Sequence, residues 1–212
     1  MSRYNLPRWN YFRFLEKDLE ACFRYVEPNA QHYSVHSDEF AKIILVACSE
    51  VENALQELAG FLEPKKRHKD LIGLRNSILA HFPHLPLSIV SAPRYGLKMQ
   101  PWAGWDTNTP DWWTKGYNKL KHDRTGNPDV GTLAYALNAL AALEVVLLYL
   151  YVHKYRVSIM PIECSPHLLD LEAFRDNDLE SGFMGWGWEL PDSEYAIQKR
   201  NRAKQRNKPG KP

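Results

Sequence analysis

The chain has 212 residues, of which 44% are hydrophobic, so it can bury one substantial core, and we expect one domain with extensions. Its net charge of +2 hides a basic end: residues 196–212 hold seven Lys or Arg and no acid, which leaves 20 basic and 25 acidic groups elsewhere. A mildly acidic body excludes a surface coated with positive charge for nucleic acid, so any anion site must be local.

The cysteines and the N-terminus indicate a cytoplasmic protein. Cys22, Cys48 and Cys164 are odd in number and lack CxxC spacing, which argues against disulfides and structural zinc. The first nine residues mix proline with aromatic residues and contain no apolar signal core, so we predict no export sequence.

Two helices are predicted in the first third of the chain. Apolar residues recur at helical spacing over 9–26, and a second helix runs from a cap at Ser37 or Asp38 to about Leu62. The second contains a long apolar run, which places it in the middle of the protein. Glu50 lies on its polar strip, either as a surface carboxylate bonded to a neighbouring helix or as a substrate-binding group beside an active site.

A third helix is predicted over 70–82 and is ended by Pro83. It carries Arg75 and His81. The stretch 85–99, with two prolines and a glycine, is expected to be irregular or a short hairpin. Four tryptophans follow, whose structural role would be to wedge helices together, at positions 102, 105, 112 and 113.

A short helix between a predicted start at Thr109-Pro110-Asp111 and a stop at Gly126 concentrates the polar chemistry of the chain. Residues four apart share a helix face, so the amide of Asn118 lies beside the imidazole of His122 and the phenol of Tyr117 lies beside the amine of Lys121. The guanidinium of Arg124 lies about one turn further on. The pattern predicts that these groups reach one small anion. They are Asn118 and His122, Tyr117 and Lys121, and Arg124.

The longest apolar segment, 133–152, is long enough to cross a membrane. Asn138 and Glu144 within it favour a buried central helix, with a membrane-associated protein as a further alternative. Beyond residue 155 we predict an irregular strap over 156–195 and a disordered basic tail over 196–212.

The order of these motifs resembles a group of bacterial HEPN-like proteins, and the resemblance spans roughly residues 20–155. It implies an all-α, HEPN-like helical bundle over 1–155 with irregular connections. Many members of this group are ribonucleases in phage-defence, toxin and CRISPR-linked systems. The resemblance rests on Tyr33-Ser34, Ser49-Glu50, Pro101-Trp102, Trp112-Trp113, Tyr117-Asn118, Lys121-His122 and Arg124.

The usual HEPN signature is an Arg, a polar residue and then a His, with four to six residues between Arg and His. Arg75-Asn76 and His81 fit this spacing, whereas Arg124 follows His122 instead of preceding it. Six positions on an unbroken helix correspond to about 240° of rotation, which would separate Arg75 from His81. We therefore take His122, Arg124, Lys121 and Asn118 as the first candidate site and Arg75 with His81 as the second.

The resemblance implies metal-independent RNA cleavage by a homodimer, without a cofactor, within a defence or toxin–antitoxin system that can include a partner protein. His122 would move the ribose proton, because an imidazole titrates near neutral pH. Arg124 and Lys121 would hold the phosphate, Asn118 would orient the imidazole, and Tyr117 would stack on a base.

Other interpretations of the same residues remain open. Cations in the last turn of a helix complement its dipole without any function. The chain would then be a catalytically inactive HEPN-like scaffold that docks a partner protein or a nucleotide. His32 and His36 lack a third ligand placed by the sequence, so no metal site is predicted.

Overall fold

Five α-helices make up most of the computed structural model, which describes residues 6–68, 70–155 and 167–171. The prediction of a predominantly helical protein is confirmed. A π-helical turn, Trp112–Tyr117, leads directly into the fourth helix. The helices are α1 (Pro7–Cys22), α2 (Asp38–Leu62), α3 (Leu71–His81), α4 (Asn118–Asp123) and α5 (Leu133–Tyr155).

Side-chain caps fix the starts of two helices. The Ser37 hydroxyl accepts a hydrogen bond from the Phe40 N–H at 3.1 Å, and the Asp70 carboxylate accepts one from the Gly73 N–H at 2.7 Å. Both satisfy amide groups that the first turn of a helix leaves unpaired. The predicted start of α2 at Ser37 and of α3 at Asp70 is thereby confirmed.

The centre of the fold is the pair α2 and α5, which pack against each other along much of their length. Every residue of α5 from Ala139 to Tyr151 is buried. Among the described residues α5 is the one helix long and apolar enough to cross a membrane, yet 83% of its apolar window lies inside the protein. Burial on all sides is what a central core helix requires, and this supports the bundle interpretation of α5.

A small antiparallel sheet lies beside the helices. Strand β1 (Val90–Ala92) pairs with β2 (Leu97–Met99) in a hairpin whose turn contains Gly96 at φ 64°, a conformation that favours glycine. The predicted hairpin is confirmed. Strand β3 (Asp170–Leu171) pairs with the other edge of β1, giving the order β2-β1-β3.

The prediction of an all-α protein is wrong in this detail, because the structure contains a small sheet. The prediction of a wholly irregular strap over 156–195 is also wrong at Asp170–Leu171, which form strand β3. A two-residue strand has no alternation of its own, so the sequence contains no local signal for it. Its position depends on pairing with a strand about 80 residues earlier. The rest of that predicted strap and the basic tail over 196–212 lie outside the described residues.

The buried carboxylate of Glu16 holds the segment that precedes β3. Its oxygens accept hydrogen bonds from the N–H groups of His167, Leu168 and Leu169 at 2.8, 2.8 and 2.9 Å. Glu16 is fully buried, so these three bonds replace the water that its carboxylate would otherwise bind. The contact fixes residues 167–171 against α1.

A second carboxylate, Glu144 of α5, is also fully buried. Burial raises the pKa of Glu144 well above its ordinary value, and the nearby charges of Glu16 and Asp170 add to this effect. The unfolded chain releases this proton near pH 4.5, whereas the folded chain keeps it. Ionisation of Glu144 therefore favours unfolding, and its contribution to stability falls as the pH rises from about 4.5 towards the folded-state pKa.

We accordingly expect Glu144→Gln to raise the free energy of unfolding at neutral pH, because glutamine cannot ionise and the folded state no longer has to hold a buried proton against release in the unfolded chain. The gain should vanish near pH 4. Urea unfolding at a series of pH values measures it, with Glu27→Gln on the exposed surface as the control that leaves the profile unchanged. A Glu144→Gln profile parallel to wild type would contradict this account.

Candidate functional site

The candidate site begins on a π-helical turn, where the sequence predicted an ordinary helix. The N–H groups of Trp113 and Thr114 both donate to the Pro110 carbonyl, and the turn starts without a side-chain cap. The predicted cap at Thr109 is therefore not formed. Short π-helical turns cost hydrogen-bond geometry and occur frequently at functional sites.

Aromatic packing beneath residues 112–117 explains why they keep the wider π-helical conformation. Trp112 donates its indole N–H to the Pro101 carbonyl at 2.6 Å, and its ring lies edge-on to Trp102 and Trp113 at centroid distances of 5.3 and 5.6 Å. Trp102 in turn donates to the Ala142 carbonyl of α5 at 3.3 Å. The tryptophans thus wedge the turn against the core, and they occupy the face opposite to the exposed polar residues.

The wedge leaves His122 and Asn118 on the outer face of α4. His122 is exposed, Asn118 is half-buried, and the two stand four residues apart on the same side of the helix. Neither side chain forms a hydrogen bond or ion pair with another residue in the described part of the chain. An imidazole and an amide are therefore available together to a ligand arriving from solvent.

Lys121 and Arg124 lie next to His122 in the chain, but their side chains reach towards α2. The Lys121 Nζ is 3.8 Å from a Glu52 carboxylate oxygen and 5.1 Å from the centre of the Tyr117 ring. The Arg124 guanidinium donates to Asp38 at 2.9 Å. A hydrogen bond with the Tyr117 hydroxyl, followed by the charge of Glu52, raises the pKa of Lys121.

The carboxylates that bind the two cations show how far apart the cationic groups are held. Asp38 and Glu52 are fourteen residues apart on one continuous helix, which corresponds to about 21 Å along its axis. The two head groups are therefore directed to different places and do not converge on one small anion, as the sequence pattern had suggested.

Tyr117 and Glu50, the two predicted substrate-binding residues, serve the packing of helices. Tyr117 is only 4% exposed, and its ring lies against Trp113 at 4.9 Å and beneath Lys121, so it offers no free face to a base. Glu50 forms an ion pair with Arg8 of α1 at 2.8 Å. A step of two positions along α2 turns the side-chain direction by about 200°. Glu52 faces α4, so Glu50 faces away from it.

The second candidate site is not assembled by α3. Arg75 donates to the Thr107 carbonyl at 3.2 Å, whereas His81 forms a hydrogen bond with the Ser77 carbonyl of its own helix at 3.0 Å. The helix is unbroken between them. The separation of about 240° expected from helical geometry is therefore retained.

Sequence reasoning missed Glu52 and Asp38, the carboxylates that hold the two cations. Both are ordinary helix-surface acids in the sequence, and their role depends on how α4 crosses α2. No family model, curated protein or solved structure matches the chain.

Proposed function

We propose that the outer face of α4 binds the phosphate backbone of RNA and that the protein is a metal-independent ribonuclease of the HEPN type. The observation that carries this proposal is the exposed imidazole of His122, which forms no hydrogen bond or ion pair with another described residue and lies beside the amide of Asn118. Lys121 and Arg124 are one and two positions away along the chain. The motif order that resembles HEPN-like proteins supports the same assignment. It also favours a cytoplasmic role in phage defence or as a toxin.

The reaction needs one proton acceptor and one proton donor. An imidazole takes the proton of the ribose 2′-OH, the 2′-oxygen bonds to phosphorus, and the bond from phosphorus to the 5′-oxygen breaks as that oxygen receives a proton. His122 supplies one of these groups. A second copy of the chain in a homodimer supplies the other, and the products are a 2′,3′-cyclic phosphate and a 5′-hydroxyl.

The ion pairs of the two cations are compatible with RNA binding. The Asp38 side chain is 89% exposed and that of Arg124 is 54% exposed. Exposed pairs of this kind contribute only about 0–1 kcal/mol. Phosphates of an arriving strand can therefore replace the carboxylates at little cost.

A second candidate is a catalytically inactive binding module of the same fold that docks a partner protein or a nucleotide. The observation that favours it is that each chain contributes only one imidazole to the α4 face, with both nearby cations already paired to α2.

Incubation of the purified protein with single-stranded RNA in the presence of EDTA separates these candidates. The ribonuclease should produce fragments ending in 2′,3′-cyclic phosphate, and a substrate with 2′-O-methyl groups should bind without being cut, because the nucleophile is blocked. RNA that is bound but left intact would favour the binding module. Intact RNA with no measurable binding would reject the ribonuclease and favour a module that docks a partner protein.

A further inference from the structure

A groove beside the C-terminal half of α1 is the strongest feature that the proposed function leaves unused. It has a volume of about 570 Å³ and lies between the C-terminal half of α1, the turn of the β1–β2 hairpin and residue 167. Cavities of roughly 300–1,000 Å³ are typical of small-molecule sites. Six side chains matter for its chemistry: Lys17, Glu20, Phe23, Arg24, Tyr95 and His167.

Positive charge exceeds negative charge at this groove. Among the described residues that line it, Glu20 is the one acid, and it is already engaged by Arg94 and by the His167 imidazole, each at 2.6 Å. Burial alone would raise the pKa of Glu20, but the hydrogen bonds from His167 and Arg94 lower it. Lys17 and Arg24 form no ion pair with any residue in the described ranges, so their charges remain available to an anion.

Two aromatic rings form a wall beside these charges. The rings of Phe23 and Tyr95 meet edge to face at a centroid distance of 5.0 Å, and the Arg94 guanidinium lies 5.6 Å from the Tyr95 ring centre. Tyr95 is only half-buried. A partly open ring next to free cations suits a ligand that combines a flat ring with an anionic group.

Hydrogen bonds hold the segment 167–171 in place at the edge of this groove. Glu16 fixes the backbone of residues 167–169 by three hydrogen bonds, and the His167 side chain then reaches Glu20. Contacts between residues about 150 positions apart in the chain therefore fix the place of His167 at the edge of the groove.

We propose that this groove binds a small anion carrying a planar ring, of the class of nucleoside monophosphates. Lys17 and Arg24 contact the phosphate, and Tyr95 contacts the ring. The inference does not depend on RNA cleavage at His122.

Calorimetric titration of the full chain with AMP, adenosine and inorganic phosphate tests it. AMP should bind at least about tenfold more tightly than either fragment, because it alone uses both the cations and the ring. Arg24→Ala and Lys17→Ala should each weaken AMP about tenfold, whereas Lys65→Ala, an exposed lysine elsewhere, should not. Tyr95→Phe should retain binding that Tyr95→Leu loses.

Two results would overturn the proposal: no heat of binding with millimolar AMP, or AMP binding that Arg24→Ala and Lys17→Ala leave unchanged. Because the variants lie on exposed parts of α1 and its C-terminal turn, circular dichroism should show them folded. Competition by a 5′-phosphorylated RNA would identify a strand end as the source of the ligand, and lack of competition would identify a free nucleotide.

Discussion

The His122→Gln variant is expected to cleave single-stranded RNA about 10²–10⁴-fold more slowly than wild type, the usual loss when a general acid–base group is removed. Glutamine keeps the polarity and approximate size of the side chain but cannot move a proton. Since His122 is exposed and its side chain forms no hydrogen bond or ion pair with another described residue, the melting temperature should remain that of wild type. Initial cleavage rates, measured in EDTA, give the ratio.

Two other histidines serve as controls for this prediction. His153→Gln alters an exposed imidazole at the end of α5 and should leave the rate unchanged. His81→Gln tests the second candidate site. A loss of cleavage in His81→Gln with full activity in His122→Gln would move the site to α3, where Arg75 and His81 could act only after a rearrangement of the helix.

Trp102→Ala is expected to lower the free energy of unfolding by about 3–5 kcal/mol, the range for removing a large aromatic side chain from a core. Trp102 is fully buried, contacts Trp105 at 4.3 Å and Trp112 at 5.3 Å, and donates a hydrogen bond to α5. Its removal leaves a cavity beneath the candidate site and removes the hydrogen bond that ties this cluster to the Ala142 carbonyl. Urea unfolding followed by far-UV circular dichroism measures the loss.

Trp113→Ala, at the rim of the same aromatic cluster, provides a graded comparison. Trp113 is 6% exposed and makes no indole hydrogen bond to another described residue, so its removal should cost less than that of Trp102. Equal losses for the two variants would contradict the view that Trp102 is the central wedge between the π-helical turn and α5.

The parts of the fold that local sequence determines were predictable. Ser37 and Asp70 cap helices because a short polar side chain bonds amides two or three residues ahead, and Gly96 allows the hairpin turn, so each signal lies within a few residues. Features that depend on crossing elements were not predictable. The π-helical turn is set by tryptophans packing against distant carbonyls, and β3 by pairing with β1.

The candidate site shows the same division. That Asn118 and His122 share a face follows from their spacing alone, and the structure retains it. The direction of Lys121 and Arg124 depends instead on which carboxylates α2 presents to α4, namely Glu52 and Asp38. Spacing on one helix contains no information about a neighbour, so convergence on a single anion could not be judged from sequence.

RNA bound on the outer face of α4 would lie against His122, and the imidazole resonances of the histidines report this contact. We expect the His122 side-chain signals to shift on addition of a 2′-O-methyl RNA that binds but cannot be cut, while those of His153 stay in place. The shift should diminish as salt is added, because phosphate contacts release counterions. A His122 signal that does not move while RNA is bound would place the strand elsewhere and contradict the account.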